Sequence, residues 1–205
     1  MLERNYRFNI SIRGDETMPK IFGERIMLRE YRKEDLEHMR KWVNNSKIVD
    51  NLSDIFLYAV PLNDTENFLN SILEGKSESK GFIIADKKTE TYIGQIDLHQ
   101  IDWKNRVAEL GIVIGEENNL GKGYGTEAIK LMQNFVFERL NLNRLQLTVH
   151  DFNKRGINCY KKCGFKQEGR LRQKFYIDGK YSDMLYMGIL KSEYEKIKKQ
   201  GNESK

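Results

Sequence analysis

Leu120-Gly121-Lys122-Gly123-Tyr124-Gly125-Thr126-Glu127-Ala128 sets three glycines at alternate positions directly ahead of an amphipathic helical pattern. Glycine lets the backbone turn tightly and leaves no Cβ to hold a ligand away. A helix starting here presents unpaired N–H groups and the positive end of its dipole. Together these make an anion site, most naturally for phosphate. A glycine-rich turn alone is a weak signal, so its meaning depends on its flanks.

Upstream, Phe82–Ala85, Tyr92–Gln100 and Val107–Ile114 read as three strands joined by short polar turns, an antiparallel meander. The glycine turn therefore follows an antiparallel strand and does not open a dinucleotide-binding βαβ unit. No Gly-Lys-Ser/Thr closes the pattern, which excludes a P-loop. What remains is a pyrophosphate cradle after an exposed strand.

Downstream, Thr126–Leu140 reads as a long helix with Ala128, Met132 and Phe135 on one face. Arg144–His150 alternates strictly, with Leu145, Leu147 and Val149 facing one way. Lys154–Cys163 predicts a short helix closed by Gly164. Two strands follow, near 166–175 and 181–189, around a turn at Asp178-Gly179, and a basic helix runs from Ser192 to about Gln200. Nearer the N-terminus, Arg25–Tyr31 reads as a strand, Arg32–Asn44 as a helix and Asn44–Tyr58 as a loop. Asn63 and Glu66 form a capping-box pattern for the next helix, which Gly75 ends. The order β-α-α-β-β-β-α-β-α-β-β predicts one mixed α/β domain over residues 21–200. Residues 1–20 form an extension, with 1–17 expected to be poorly ordered or packed on a partner subunit, and 201–205 a tail.

Composition narrows the function classes. With 32% charged and 39% hydrophobic residues, the chain is ordinary for a globular protein. Its net charge of +5 is spread along the chain without the clustered basic and aromatic stripe of a nucleic-acid binder. Cys159 and Cys163 are the two cysteines, so no disulfide framework is implied and a reducing compartment fits. His38, His99 and His150 lack ligand-like spacing, and no metal site is expected. No apolar run reaches the roughly 18 residues of a membrane span. A cytoplasmic protein is the expectation.

Glu109-Leu110-Gly111-Ile112-Val113-Ile114, the glycine turn through Ala128, Asn153, and Tyr160-Lys161-Lys162-Cys163-Gly164-Phe165 together resemble the GNAT acetyltransferases. Within them the chain is similar to the branch holding ribosomal-protein N-terminal and spermidine acetyltransferases. Glu168-Gly169-Arg170-Leu171 and Asp178-Gly179-Lys180-Tyr181-Ser182-Asp183 share it, and it covers roughly residues 20–195. Leu120 departs from the pattern, because the family usually carries Gln or Arg there. The resemblance then leaves the pyrophosphate to the backbone amides of residues 121–126.

The resemblance implies a GNAT fold, with a mostly antiparallel mixed sheet splayed between its central strands. It implies acetyl-CoA as co-substrate and direct attack of a primary amine on the thioester. Gly121, Lys122, Gly123, Tyr124, Gly125 and Thr126 would then hold the pyrophosphate. Ile112, Val113 and Ile114 would pair with the pantetheine arm, and the Val113 amide is a candidate oxyanion donor. Asn153 would bond a pantetheine amide, although Asn equally suits a helix N-cap. Glu109 matches a general base, acting directly or through water, or else a carboxylate paired with a neighbouring cation. Tyr160 matches a general acid, or else a half-buried core tyrosine. Cys159 reads as a packed thiol and His150 as a strand-end polar residue.

The acceptor groove would lie along about Arg32–Leu73, where Asp50, Asp54, Trp42, Phe56 and Tyr58 suit a cationic amine. A protein N-terminus is the leading expectation for the acceptor, with a small polyamine or amino sugar as the close alternative. A non-catalytic acyl-CoA sensor is the competing class, and the presence of both Glu109 and Tyr160 argues against it. Dimerisation is left open by the sequence.

Overall fold

A computed structural model describes residues 20–203, with side-chain surroundings through residue 200. The expected extension over residues 1–17 lies outside the described residues. The strands are β1 (Ile21–Phe22), β2 (Ile26–Arg29), β3 (Lys80–Asp86), β4 (Tyr92–Asp102), β5 (Val107–Ile114), β6 (Arg144–His150), β7 (Lys166–Ile177) and β8 (Lys180–Leu190). The helices are α1 (Asp35–Trp42), α2 (Ser46–Val49), α3 (Leu62–Leu73), α4 (Tyr124–Asn134), α5 (Lys154–Lys162) and α6 (Lys191–Glu203).

One sheet carries all eight strands in the order β1-β2-β3-β4-β5-β6-β8-β7. Every neighbouring pair is antiparallel except β5 and β6. That parallel pair is short: Val107 faces Arg144, Ala108 faces Leu145 and Glu109 faces Gln146. Beyond this rung β5 keeps β4 as far as Ile114, and β6 keeps β8 as far as His150. The sheet therefore forks after Glu109.

Period-two alternation sends the apolar side chains of each strand to two cores. On one face Ile84, Ile96, Leu98, Ala108, Leu110 and Leu147 pack with α4 and α5. On the other Met27, Ile83, Ala85 and Val113 pack under α1 and α3 through Met39, Trp42 and Leu69. Arg29, buried on β2, pairs at 2.7 and 2.9 Å with the buried carboxylate of Asp35, the first residue of α1. That contact fixes the start of α1 against the sheet.

The elements match the sequence reading except at four places, the first being the short edge strand β1, which the reading did not contain. Asn63 does not cap α3. The helix begins at Leu62 after Pro61, whose ψ of 158° ends the extended chain, and no side chain caps it. The stretch 44–58 contains a short helix, α2, capped by Asn45 through the Lys47 amide at 3.1 Å. The helix read as Thr126–Leu140 starts at Tyr124 and ends in a π-helical turn over Phe135–Arg139. Gly75, Gly164 and Gly179 adopt φ of 70°, 88° and 76° at the expected stops, where residues with a Cβ are disfavoured.

Candidate active site

The fork opens onto a groove of about 350 Å³. β5 lines it with Ile112, Val113 and Ile114. The glycine turn and α4 add Gly121 and residues 123–126. α5 contributes Asn153 and Tyr160, and Ile48 and Leu52 close it from the α2 side. Ten of the twelve residues read from the sequence thus meet in one place.

The local backbone explains the cradle. Gly121 and Gly123 have φ of 75° and 87°, and nothing stands within 4 Å of where a Gly121 Cβ would be. Gly123 sits at the N-cap of α4, so the first-turn amides that follow have no intrahelical acceptor. Glu127, buried in that turn, accepts from the amides of Glu24 and Arg25 at 2.8 Å and of Ile26 at 3.3 Å. Its second oxygen takes Arg25 Nε at 3.0 Å. Arg25 also donates to the Lys122 carbonyl at 2.9 Å and lies 4.8 Å over the Tyr124 ring. A guanidinium is therefore fixed beside the turn, on the very stretch where Leu120 brings no polar group.

Lys122 is exposed and does not line the groove. Its carbonyl accepts from Arg25. Asn153 does cap α5, accepting from the Gly156 amide at 2.8 Å, and it lines the groove as well. The two roles read for it are compatible, since one uses Oδ1 and leaves Nδ2.

Tyr160 is partly buried, with its ring edge-on to Phe165 at 6.0 Å, and its hydroxyl has no partner among the described residues. Burial, then the charges of Cys159 and Cys163, raise its phenol above the usual range. Cys159 shares a contact of 3.3 Å with the Thr126 hydroxyl, and its thiol is lowered by hydrogen bonding to Cys163. Both cysteines are free.

Glu109 stands apart from the groove lining, on the last rung before the fork. It is partly exposed and has no ion-pair or hydrogen-bond partner among the described residues. Among the described residues the paired-carboxylate alternative has no cation to rest on. Its strand face is that of Gly111 and Val113, turned toward α1 and α3.

That face carries a second cavity, of about 470 Å³. Trp42, Phe56 and Tyr58 line it as the sequence suggested, but Asp50 and Asp54 do not. The carboxylates along it are Asp64, exposed, and Asp97, buried. His99, also lining it, lies across β5: a Cβ at Gly111 would fall 1.9 Å from its Nε2. The imidazole thus reaches from the cavity to Gly111, two residues past the last rung of the fork. His150, unlike the exposed His99, is not a surface residue. It is buried between Phe152 and Phe175 and bonds the Leu52 carbonyl at 2.8 Å, tying the α2 loop to β6.

This fork, with a glycine turn and helix start on one side and an amine-sized cavity on the other, defines an acyl-transfer enzyme. The chain belongs to the acetyltransferase (GNAT) domain family, which matches residues 25–166, and it is an N-acetyltransferase. It is 30% identical to the spermidine N(1)-acetyltransferase of Vibrio cholerae over 84% of this chain and 96% of that one. The putative ribosomal N-acetyltransferase YdaF of Bacillus subtilis is 36% identical over 50% of this chain and 55% of its own. The crystal structure of the Vibrio cholerae spermidine N-acetyltransferase in complex with CoA and spermine superposes with a TM-score of 0.73. The sequences there are 28% identical, over 83% of this chain and 98% of that chain. Among the described residues no helix is long and apolar enough to cross a membrane.

Proposed function

We propose that this protein transfers the acetyl group of acetyl-CoA to the primary amine of a small molecule. The observation that carries this reading is the fork after Glu109, because the glycine turn, Asn153 and Tyr160 all meet at its open side. The groove suits the donor's parts: an unpaired β5 edge for amide pairing, helix-start amides with Arg25 nearby for pyrophosphate, and no Cβ over Gly121.

Acetyl-CoA supplies an activated thioester carbonyl. The protein's tasks are to free the amine of its proton, hold the oxygen that gains charge, and return a proton to the leaving sulfur. Glu109, unpaired and on the acceptor-cavity face, serves as base directly or through one water. Val113, read as oxyanion donor, has its amide turned to β4 in the register that sends the Gly115 amide to the Ile93 carbonyl, so the free-edge amides of Ile112 and Ile114 serve as oxyanion donors instead. Tyr160, held protonated by burial and free at its hydroxyl, serves as acid. Lys122 contributes only its backbone. Relatives named for spermidine favour a small amine over a protein N-terminus, since the ribosomal relative matches half the chain. Two free thiols suit a reducing, cytoplasmic setting.

The test is release of free CoA with a panel of polyamines, amino sugars, arylalkylamines and peptide N-termini, for wild type and Tyr160→Phe. Turnover on a small amine, falling about 10²-fold in Tyr160→Phe with acetyl-CoA affinity intact, is expected. Tight acetyl-CoA binding with no turnover on any amine would replace the enzyme by a sensor.

A further inference from the structure

Three carboxylates are buried among the described residues: Asp35, Asp97 and Glu127. The protein neutralises two of them. Asp35 has the two-point pair with Arg29, and Glu127 has three backbone amides and Arg25. Asp97 is different.

Its oxygens accept only from neutral groups, the Tyr31 hydroxyl at 2.5 Å and the Gln95 amide at 3.4 Å. Among the described residues no Lys or Arg pairs with it, and the neighbouring charge that favours its ionised form is that of His99. Gln95 is itself held by the Tyr92 hydroxyl, which accepts from Trp42 Nε1 at 2.9 Å. A chain of uncharged groups thus positions Asp97 without neutralising it. Removing a carboxylate from water without a counter-charge is unfavourable, and burial accordingly holds its proton more tightly than usual.

The missing cation has a place to come from, because Asp97 lines the second cavity. Trp42, Phe56, Tyr58 and Phe68 form much of the remaining wall. Aromatic faces attract a cation and pack an apolar body equally well. A polyamine would bring a further cation every few carbons, yet the other carboxylate here, Asp64, is exposed at the edge.

Building on the acetyltransferase reading, we infer that Asp97 is the counter-charge for the acceptor's ammonium, and that the acceptor is a primary monoamine on an apolar body, such as an arylalkylamine, in preference to a polyamine. The ion pair is the resting complex, and the proton leaves to the base before attack. His99, lying over Gly111, marks the short path from this pocket to the fork.

Steady-state kinetics with 2-phenylethylamine and spermidine, for wild type and Asp97→Asn, tests the inference. Wild type is expected to prefer 2-phenylethylamine in kcat/KM. Asp97→Asn is expected to raise its KM at least tenfold, with the KM for acetyl-CoA unchanged and the thermal midpoint equal or higher. A purely structural Asp97 would lower that midpoint instead. Phe68→Ala, at the cavity wall, should weaken 2-phenylethylamine and spare ethylamine. An unchanged amine KM in Asp97→Asn, or a preference for spermidine, overturns the inference while leaving the acetyltransferase standing. Absence of turnover on every amine strikes the acetyltransferase instead. Calorimetry on the CoA-loaded protein then decides the pocket: 2-phenylethylamine binding that Asp97→Asn abolishes supports it, and no binding to wild type overturns it.

Discussion

Burial strengthens the hold on a proton at both Tyr160 and Asp97, to opposite ends. In Tyr160 a phenol kept neutral is a ready donor to a departing thiolate. In Asp97 the carboxyl is pushed up to about 6 from an ordinary 3.8, chiefly by burial. Folded Asp97 therefore binds its proton more tightly than unfolded Asp97, which favours the folded state at low pH. That advantage is lost as pH rises from about 4 through 6. Asp97→Asn titrates in neither state, so its unfolding free energy should gain on wild type by about 3 kcal/mol across that window and level off above it. Urea melts at pH 4, 5, 6 and 7 read this difference; parallel curves would show that Asp97 is not a buried, uncompensated charge. Asp97 was not legible in the sequence. Gln95, Asp97 and His99 alternate with Gly94, Ile96 and Leu98, a pattern that reads as a solvent-facing strand side. Only the packing of α1 and α3 over that side turns it into a pocket floor. Glu109, Asn153 and Tyr160 were legible because their spacing around the glycine turn follows from chain order along consecutive elements.

Among the elements, α4 organises the donor side. Its start is set by Gly123 in the left-handed region, and its first turn is anchored to the β1–β2 connection through Glu127. Replacing Gly123 with Val imposes a β-branched residue at φ of 87° and aims its Cβ within 3.3 Å of the Arg25 guanidinium. Gly123→Val should therefore abolish acetyl-CoA binding by calorimetry; an unchanged affinity would remove the phosphate role from the turn. The clamp of Glu127 on residues 24–26 was invisible beforehand, because it joins positions about a hundred apart in the chain. The start of α3 was misread for a local reason. Asn63 and Glu66 satisfy a capping-box spacing, but Pro61 ends the extended segment two residues earlier and the helix follows at once.

At the scale of the molecule, the order of strands and helices was readable from period alone, since two apolar faces per strand and one per helix leave little choice of layers. The fork was not. Nothing in the alternation of β5 or β6 announces that they part after three residue pairs; it followed from the family resemblance and is present in the strand register. The groove at the fork is lined by Ile112–Ile114 of β5, and the second cavity by Gln95, Asp97 and His99 of the neighbouring β4, with His99 lying over Gly111. Hydrogen–deuterium exchange with and without acetyl-CoA tests this arrangement most directly. The account predicts slowed exchange confined to the peptides covering Ile112–Ile114 and residues 121–126, with the β7–β8 hairpin unchanged. Protection elsewhere, with the β5 edge and the glycine turn exchanging as before, would contradict it.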